Sequence, residues 1–316
     1  MLTTYKTLQD KLQEVSWDPS EKGVWIKLID PTVEEILQLS AAAQIPEYFF
    51  RFAIDEDDCP RIILGQNCIL AIIHVPLSLG EDRYETSPLS IILTPHTTIT
   101  ISDHLVQVLP EHNDRSRFLF DTARRTQFFF QILYHADTVF LKYIRQIRRR
   151  TDEIELNLRK STTNEEVFQL LDLEKGLTYF TAALRGNVIV AETILRMRSD
   201  PQMRPLLQMH EEDEDVLESV IIENKRALEL VQTYSEILSS MMDAFSSVIN
   251  NNLNHIMKFL ASATILISIP TMISSFWSMT VPVPGNDTAI GFWLVLFFAL
   301  TTSCCVGLYL RKKGIL

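Results

Sequence analysis

The chain has 316 residues, 47% of them hydrophobic, and its 40 Asp and Glu outnumber 29 Lys and Arg to give a net charge of −11. This acidity argues against nucleic acid as a partner, which would favour a basic face, and it suits a body that concentrates cations, although ordinary solubility accounts for the same charge. The cysteines, Cys59, Cys68, Cys304 and Cys305, offer neither a disulfide framework nor a zinc spacing.

No apolar run opens the sequence, so a cleaved leader is not expected and the region ahead of Lys258 is expected to stay in the cytosol. Of the 13 prolines, none falls between Pro110 and Pro201. That gap separates a cytoplasmic α/β region, residues 1–112, from long cytoplasmic helices over residues 113–210. Residues 23–30 read as a strand, and Asp30, Pro31, Thr32, Glu34 and Glu35 then supply the cap, early proline and acidic first turn of a helix. Residues 61–64 and 67–75 read as a strand pair around Gly65 and Gln66, and residues 89–93 and 97–102 as another around Thr94, Pro95 and His96. The apolar run Ile69, Leu70, Ala71, Ile72 and Ile73 predicts strands covered on both faces, hence a layered α/β sandwich.

Helical patterning begins at about Arg115 and reaches about Lys160, with a basic patch at Arg145, Arg148, Arg149 and Arg150. A second helix starts near Thr162, which forms a capping-box pattern with Glu165, and runs to about Met197. The third starts near Glu211 and meets no Pro or Gly before Pro270. As one helix, residues 211–281 would be roughly 100 Å long, which implies a stalk. Leu217, Ile221, Leu228, Val231, Leu238, Met242, Phe245, Ile249 and Ile256 share one heptad line along it, broken by Asn224, Ser235 and Asn252.

Two segments, residues 259–281 and 289–310, carry no charge, and each exceeds the ~20 residues a helix needs to cross the hydrocarbon core of a bilayer. The connection over residues 282–288 makes them a C-terminal transmembrane hairpin. Lys258 precedes the first span and Arg311, Lys312 and Lys313 follow the second, while the connection has no Lys or Arg. The positive-inside rule therefore predicts that both termini, including the basic tail 311–316, are cytoplasmic.

A polar seam runs beside the heptad line and on into the first span: Asp243, Ser247, Asn250, Asn254, Met257, Ala261, Thr264, Ser268, Thr271, Ser275 and Ser278, spaced alternately four and three. A hydrophilic contact line is costly against lipid, but it suits helices packed around a water-filled pore shared by several copies of the chain. Asp243 would then form a carboxylate ring at one end; alternatively it is a solvated surface group. Asn250 and Asn254 would offer amide oxygens to a hydrated cation, or else fix helix register. Met257 and Leu260 bracket the membrane entrance, where apolar rings close pores by dewetting, and plain core packing is the alternative. Thr264, Ser268 and Thr271 occupy successive inward turns, although a lone hydroxyl in such a helix usually bonds back to its own backbone. Pro270 frees the carbonyl of Leu266, which needs another donor.

These residues resemble the CorA family of magnesium channels over essentially the whole chain. The local match is Asn254-His255-Ile256-Met257-Lys258-Phe259-Leu260, then Pro270-Thr271, the segment ending at Ser278, and Tyr309-Leu310-Arg311-Lys312-Lys313-Gly314-Ile315-Leu316. The resemblance implies an α+β cytoplasmic domain, long stalk helices and a two-helix membrane hairpin, assembled as a funnel-shaped homopentamer with one axial pore. It also implies gating by intracellular divalent cation bound between subunits. The family's outer-mouth triplet is Gly-Met-Asn, and Ser278, Met279 and Thr280 stand in its place. Thr280 offers a hydroxyl and a carbonyl instead of an amide, which leaves magnesium selectivity open. By the same resemblance Glu81, Asp82 and Glu85, in a hydrophilic loop, and Asp215 and Glu218, at the head of the stalk, are regulatory metal candidates. Acid at a helix start is the plainer account of the cluster around Glu211.

No nucleophile–base arrangement, phosphate loop or paired-carboxylate site is evident, so catalysis is not expected, nor any cofactor beyond Mg²⁺ as substrate and regulatory ligand. The expected function is movement of divalent cations, Mg²⁺ first, through a pore lined by the first span in the inner (plasma) membrane. Two alternatives remain: a Zn²⁺, Co²⁺ or Ni²⁺ transporter of the same superfamily, and a non-conducting metal-sensing receptor.

Overall fold

Runs of β-branched and aromatic residues bounded by Gly and Pro build one mixed sheet in the first part of the chain. The computed structural model describes residues 1–9, 11–16, 21–55, 59–80, 82–110, 120–158, 164–201, 203, 205–278 and 289–314. They fall into two units, Met1–Ser240 and Met241–Leu316. In the first, β1 (Leu2–Leu8), β2 (Lys11–Glu14), β3 (Val24–Ile29), β4 (Arg61–Leu64), β5 (Ile69–Gly80), β6 (Arg83–Leu93) and β7 (Thr97–Ser102) hydrogen-bond in the order β2-β1-β3-β7-β6-β5-β4. The β3–β7 pair is parallel and the other neighbours are antiparallel.

One face of the sheet is covered by α1 (Val33–Ala43) and α2 (Glu47–Ile54), whose Ile36, Leu39, Phe49 and Phe50 join Val24, Ile26, Leu28, Leu70 and Ile72 in a dry core. The other face meets α3 (Arg125–Leu158) and α4 (Asn164–Met197). There Trp25, alternate to Ile26 on β3, donates its indole N–H to Thr100 Oγ1 at 3.0 Å and packs 5.4 Å from the Phe128 ring. Phe140 of α3 and Phe180 of α4 cross edge-on at 5.1 Å. Fully buried aromatic and aliphatic side chains of this kind stabilise by roughly 1.5–3 kcal/mol each, and they make a three-layer α/β sandwich as the sequence predicts. Two glycines let α4 approach closely. A Cβ on Gly176 would meet Tyr84 Cβ at 2.9 Å, and one on Gly186 would meet Pro60 Cγ at 2.5 Å.

Several boundaries differ from the sequence reading. The capping box of α1 centres on Thr32, whose hydroxyl accepts from Glu35 N while Glu35 accepts from Thr32 N. Arg115 lies outside the described residues; helix α3 is described from Arg125, just after Asp121 turns the chain: its carboxylate accepts from Ala123 N at 2.9 Å and its carbonyl from Arg124 N at 3.2 Å. Thr122 is also strapped to β1 by reciprocal bonds with Thr7 at 2.8 and 3.1 Å. Thr162 lies outside the described residues, and α4 is described from Asn164. Glu85 does not sit in a loop, whereas Asp82 does. Asp82, at φ 63°, belongs to the tight turn of the long β5–β6 hairpin, and Glu85 lies within β6 opposite Leu77, pointing out where Tyr84 points in.

Helix α5 (Glu211–Trp277) is a single 67-residue helix and ends short of residue 281, with Ser278 in a turn after it. Its head buries Leu217, Val220, Asn224, Ala227, Val231 and Leu238 in the first unit. Helix α6 (Ala289–Lys312) continues past residue 310 into the basic pair Arg311 and Lys312. In the second unit two helices are long and apolar enough to cross a membrane, and almost none of either apolar window is buried within the chain. A soluble core helix would be mostly covered, so these segments need an apolar surrounding that the chain itself does not supply.

Candidate ion-permeation site

In the second unit the surface of α5 divides into two stripes. Ser262, Leu266, Ile269, Pro270, Ile273 and Trp277 are wholly or partly covered, and they recur at helical spacing. On α6 the covered residues among those described are Gly291, Val295, Ala299, Thr302, Ser303, Val306, Gly307 and Leu310, again one face. The faces meet where a Cβ on Gly307 would lie 3.4 Å from Leu266 Cδ2 and where Ser303 Oγ donates to the Leu266 carbonyl at 3.2 Å. At ~100° per residue, Leu266 lies ~200° from both Thr264 and Ser268. Within the span the seam about Thr264 and Ser268 is therefore on the opposite side of α5 from α6, while its last member, Ser278, lines the space between the two helices.

All members of that seam, Asp243, Ser247, Asn250, Asn254, Met257, Ala261, Thr264, Ser268, Thr271, Ser275 and Ser278, are exposed in the chain. Leu260, beside it, is exposed as well. Met257 keeps 65% of its surface and Leu260 59%, so neither is part of this chain's core. Met279 and Thr280 of the expected mouth lie outside the described residues, as does the connection over 282–288.

The hydroxyls of the seam are oriented by the backbone. Thr264, Ser268 and Thr271 donate to the carbonyls of Leu260, Thr264 and Ile267 at 2.8, 2.7 and 2.9 Å, Ser247 donates to Asp243 O at 3.1 Å, and Ser278 to Ser275 O at 3.0 Å. This is the local bonding expected of Ser and Thr in helices. Its chemical consequence is directional, because each bond consumes the hydroxyl hydrogen and leaves only oxygen lone pairs outward. Together with the amide oxygens of Asn250 and Asn254 and the Asp243 carboxylate, the seam can present a ladder of acceptors. A hydrated divalent cation presents the hydrogens of its bound water, so such a ladder is its complement.

The acidic candidates are placed less favourably for metal. Both Asp82 oxygens accept from Arg150 Nε at 2.9 Å, and Glu153 adds a contact to the same guanidinium at 3.1 Å. The Asp82 hydrogen bond leads the effects that raise the Arg150 pKa. With a cation of the chain already seated on it, Asp82 is a structural partner of α3. Glu85, Asp215 and Glu218 are exposed, and Glu81 lies outside the described residues. In the Glu211 cluster, Asp213 caps its own helix by accepting from His210 N at 2.9 Å, while Glu212 and Glu214 pair with Arg124 and Arg198 at 3.2 and 2.7 Å. Among the described residues, no three His, Cys, Asp or Glu side chains converge.

Two polar pairs went unread in the sequence. Ser303 gave no signal of its own, although asking which group satisfies the carbonyl released by Pro270 would have directed attention to the facing helix. Asn224, read as a break in the heptad line, is buried on Asp137 of α3, donating to its Oδ1 at 2.8 Å.

An α/β domain, a long helix and a pair of apolar helices, one with a polar seam, are the parts of a membrane protein. Residues 20–312 match the family described as CorA-like Mg²⁺ transporter protein. The chain is 27% identical, over 97% of its length and 95% of the relative, to the cobalt/magnesium transport protein CorA of Methanocaldococcus jannaschii. Its fold is similar to the complete structure of the CorA magnesium transporter from Methanocaldococcus jannaschii, with TM-score 0.80 and 23% identity, covering 100% of this chain and 99% of that one. It is also similar to the full-length CmaX protein, with TM-score 0.71 and 19% identity over 98% and 97% of the two chains. The chain therefore belongs to the CorA-like Mg²⁺ transporter family, and its activity is the transport of divalent cations across a membrane.

Proposed function

We propose that this chain assembles as a homopentamer in the inner membrane and passes Mg²⁺ through one axial pore lined by the seam of α5, with both termini in the cytosol. The observation that carries the reading is the division of α5 into a face covered by α6 and an opposite, exposed face of outward acceptors. That face is costly against lipid tails, and five copies turned inward give it water and cations instead. Asp243 forms the cytoplasmic carboxylate ring, Asn250 and Asn254 hold the hydrated ion below the bilayer, and Met257 and Leu260 close the conduit by excluding water. Thr264, Ser268, Thr271 and Ser275 line the span, and Ser278, Met279 and Thr280 form the outer mouth. The match to a cobalt/magnesium transport protein supports Mg²⁺ as cargo, with Co²⁺ as its closest competitor. Intracellular Mg²⁺ restrains the pore through exposed acids, for which Glu85, Asp215 and Glu218 are better placed than the Arg150-bound Asp82.

Reconstituted protein should take up Mg²⁺ into liposomes down an inward gradient, and Met257→Ala should raise the resting flux. No flux of Mg²⁺, Co²⁺, Ni²⁺ or Zn²⁺ under any gradient would overturn the reading and favour a metal-sensing receptor.

A further inference from the structure

Proline at position 270 has no N–H, so the carbonyl of Leu266, one turn earlier, has lost its intrahelical donor. In a bilayer, water is not on hand to replace it, and a helix tolerates such a residue where a neighbouring side chain supplies the missing bond. Ser303 does so from α6, donating to Leu266 O at 3.2 Å from the face where Ala299 and Gly307 keep the two helices close. On the far side of Pro270 from Leu266, a cavity whose lining includes Pro270, Ser274, Trp277, the seam residue Ser278, Phe292 and Ala299 separates the helices. The part of α5 after Pro270 thus has free volume beside it, and the Ser303 hydroxyl of the facing helix bonds to the turn just before it. Thr271, Ser275 and Ser278, the outer third of the seam, lie on that part.

We propose that Ser303 is a positioning residue for transport: its hydroxyl replaces the donor lost at Pro270 and so sets the direction of the outer segment of α5. The proposal rests on the reading of the seam as the pore lining. Ser303 itself lies on the covered side of the helix pair and does not meet the ion; it acts through the bend. A hydroxyl is required, and volume alone does not suffice. Thr can keep the bond, Ala cannot, and Cys, with its weak S–H donor, falls between them.

The test compares Mg²⁺ uptake by proteoliposomes carrying the unmodified chain, Ser303→Ala, Ser303→Thr, Pro270→Ala and the Pro270→Ala/Ser303→Ala double variant. With proline present, Ser303→Ala should change maximal flux by about threefold or more, the factor that one interhelical hydrogen bond in a membrane is worth, and Ser303→Thr should restore it. In the Pro270→Ala background residue 270 regains an N–H for Leu266 O, so removing the Ser303 hydroxyl should have no further effect. Equal effects of Ser303→Ala in both backgrounds, or none with proline present, overturn the proposal. A companion measurement does not depend on flux: amide hydrogen exchange over residues 271–277 should quicken in Ser303→Ala and not in Ser303→Thr, and unchanged exchange also overturns it. Absence of flux in the unmodified chain would instead sink the pore reading, leaving the exchange result to decide the role of Ser303.

Discussion

The buried contact between Asp137 and Asn224 joins α3 to the head of α5 through a single described hydrogen bond of 2.8 Å, and it leaves Asp137 Oδ2 and Asn224 Oδ1 without partners. A proton on Asp137 would give those two oxygens one shared hydrogen bond and complete a reciprocal acid–amide pair. Burial, first among the causes, pushes this carboxyl well above its usual range, the Glu223 charge adds to the rise, and the Asn224 bond opposes it. The sign follows from linkage. A carboxyl whose folded pKa is raised stabilises the fold fully below its unfolded value of about 3.9, and that contribution is lost as pH climbs through the folded value. Asp137→Asn supplies a permanent donor at the same place. The stability of the variant relative to the unmodified protein should therefore grow as pH rises from about 4, read as the gap between their denaturation midpoints in detergent. A gap independent of pH would show that Asp137 is already ionised at the bottom of that range.

At the scale of elements, the close seat of α4 makes a direct prediction. Gly186→Ala would place a methyl 2.5 Å from Pro60 Cγ, where the ring has little freedom to yield. Overpacking of this kind costs about 1–3 kcal/mol and should appear as a lowered denaturation midpoint with the sheet intact by circular dichroism. The long helices were legible in the sequence because a 3.6-residue period sustained over many turns has few competitors. The β4–β5 and β6–β7 pairs were legible from apolar runs bounded by turn residues, whereas the extension of β5 and β6 into one long hairpin was not. Other elements were not. Strand β1, with its Thr and Lys alternation, earns its place by pairing with β2 and β3, and α2 has only eight residues. The start of α3 depends on an Asp121 turn and on Thr7, 115 residues from Thr122. Asp82 read as a free acid because its partner Arg150 is 68 residues away. The seam was visible as spacing, whereas the direction of its hydroxyl hydrogens required coordinates.

At the scale of the whole molecule, one exposed stripe per chain calls for several chains. Native mass measurement on purified protein should return five copies, and a monomer would leave the acceptor ladder facing lipid. Selectivity belongs to this scale too, since a ring at the mouth exists only in the assembly. Ser278→Gly combined with Thr280→Asn should sharpen the preference for Mg²⁺ over Co²⁺ in competitive uptake, because amide oxygens hold the hydrated ion by its water. An unchanged ratio would transfer the choice to Asn250 and Asn254. The committed hydroxyl hydrogens of Thr264, Ser268 and Thr271 carry a further consequence for such a pore. A chloride ion passing those three turns would meet their oxygen lone pairs and none of their hydroxyl hydrogens. Anions would then be disfavoured at that stretch by the direction of its hydroxyls, without any fixed charge inside the bilayer. That discrimination should persist in molar salt, where screening over about 3 Å would mute the Asp243 ring.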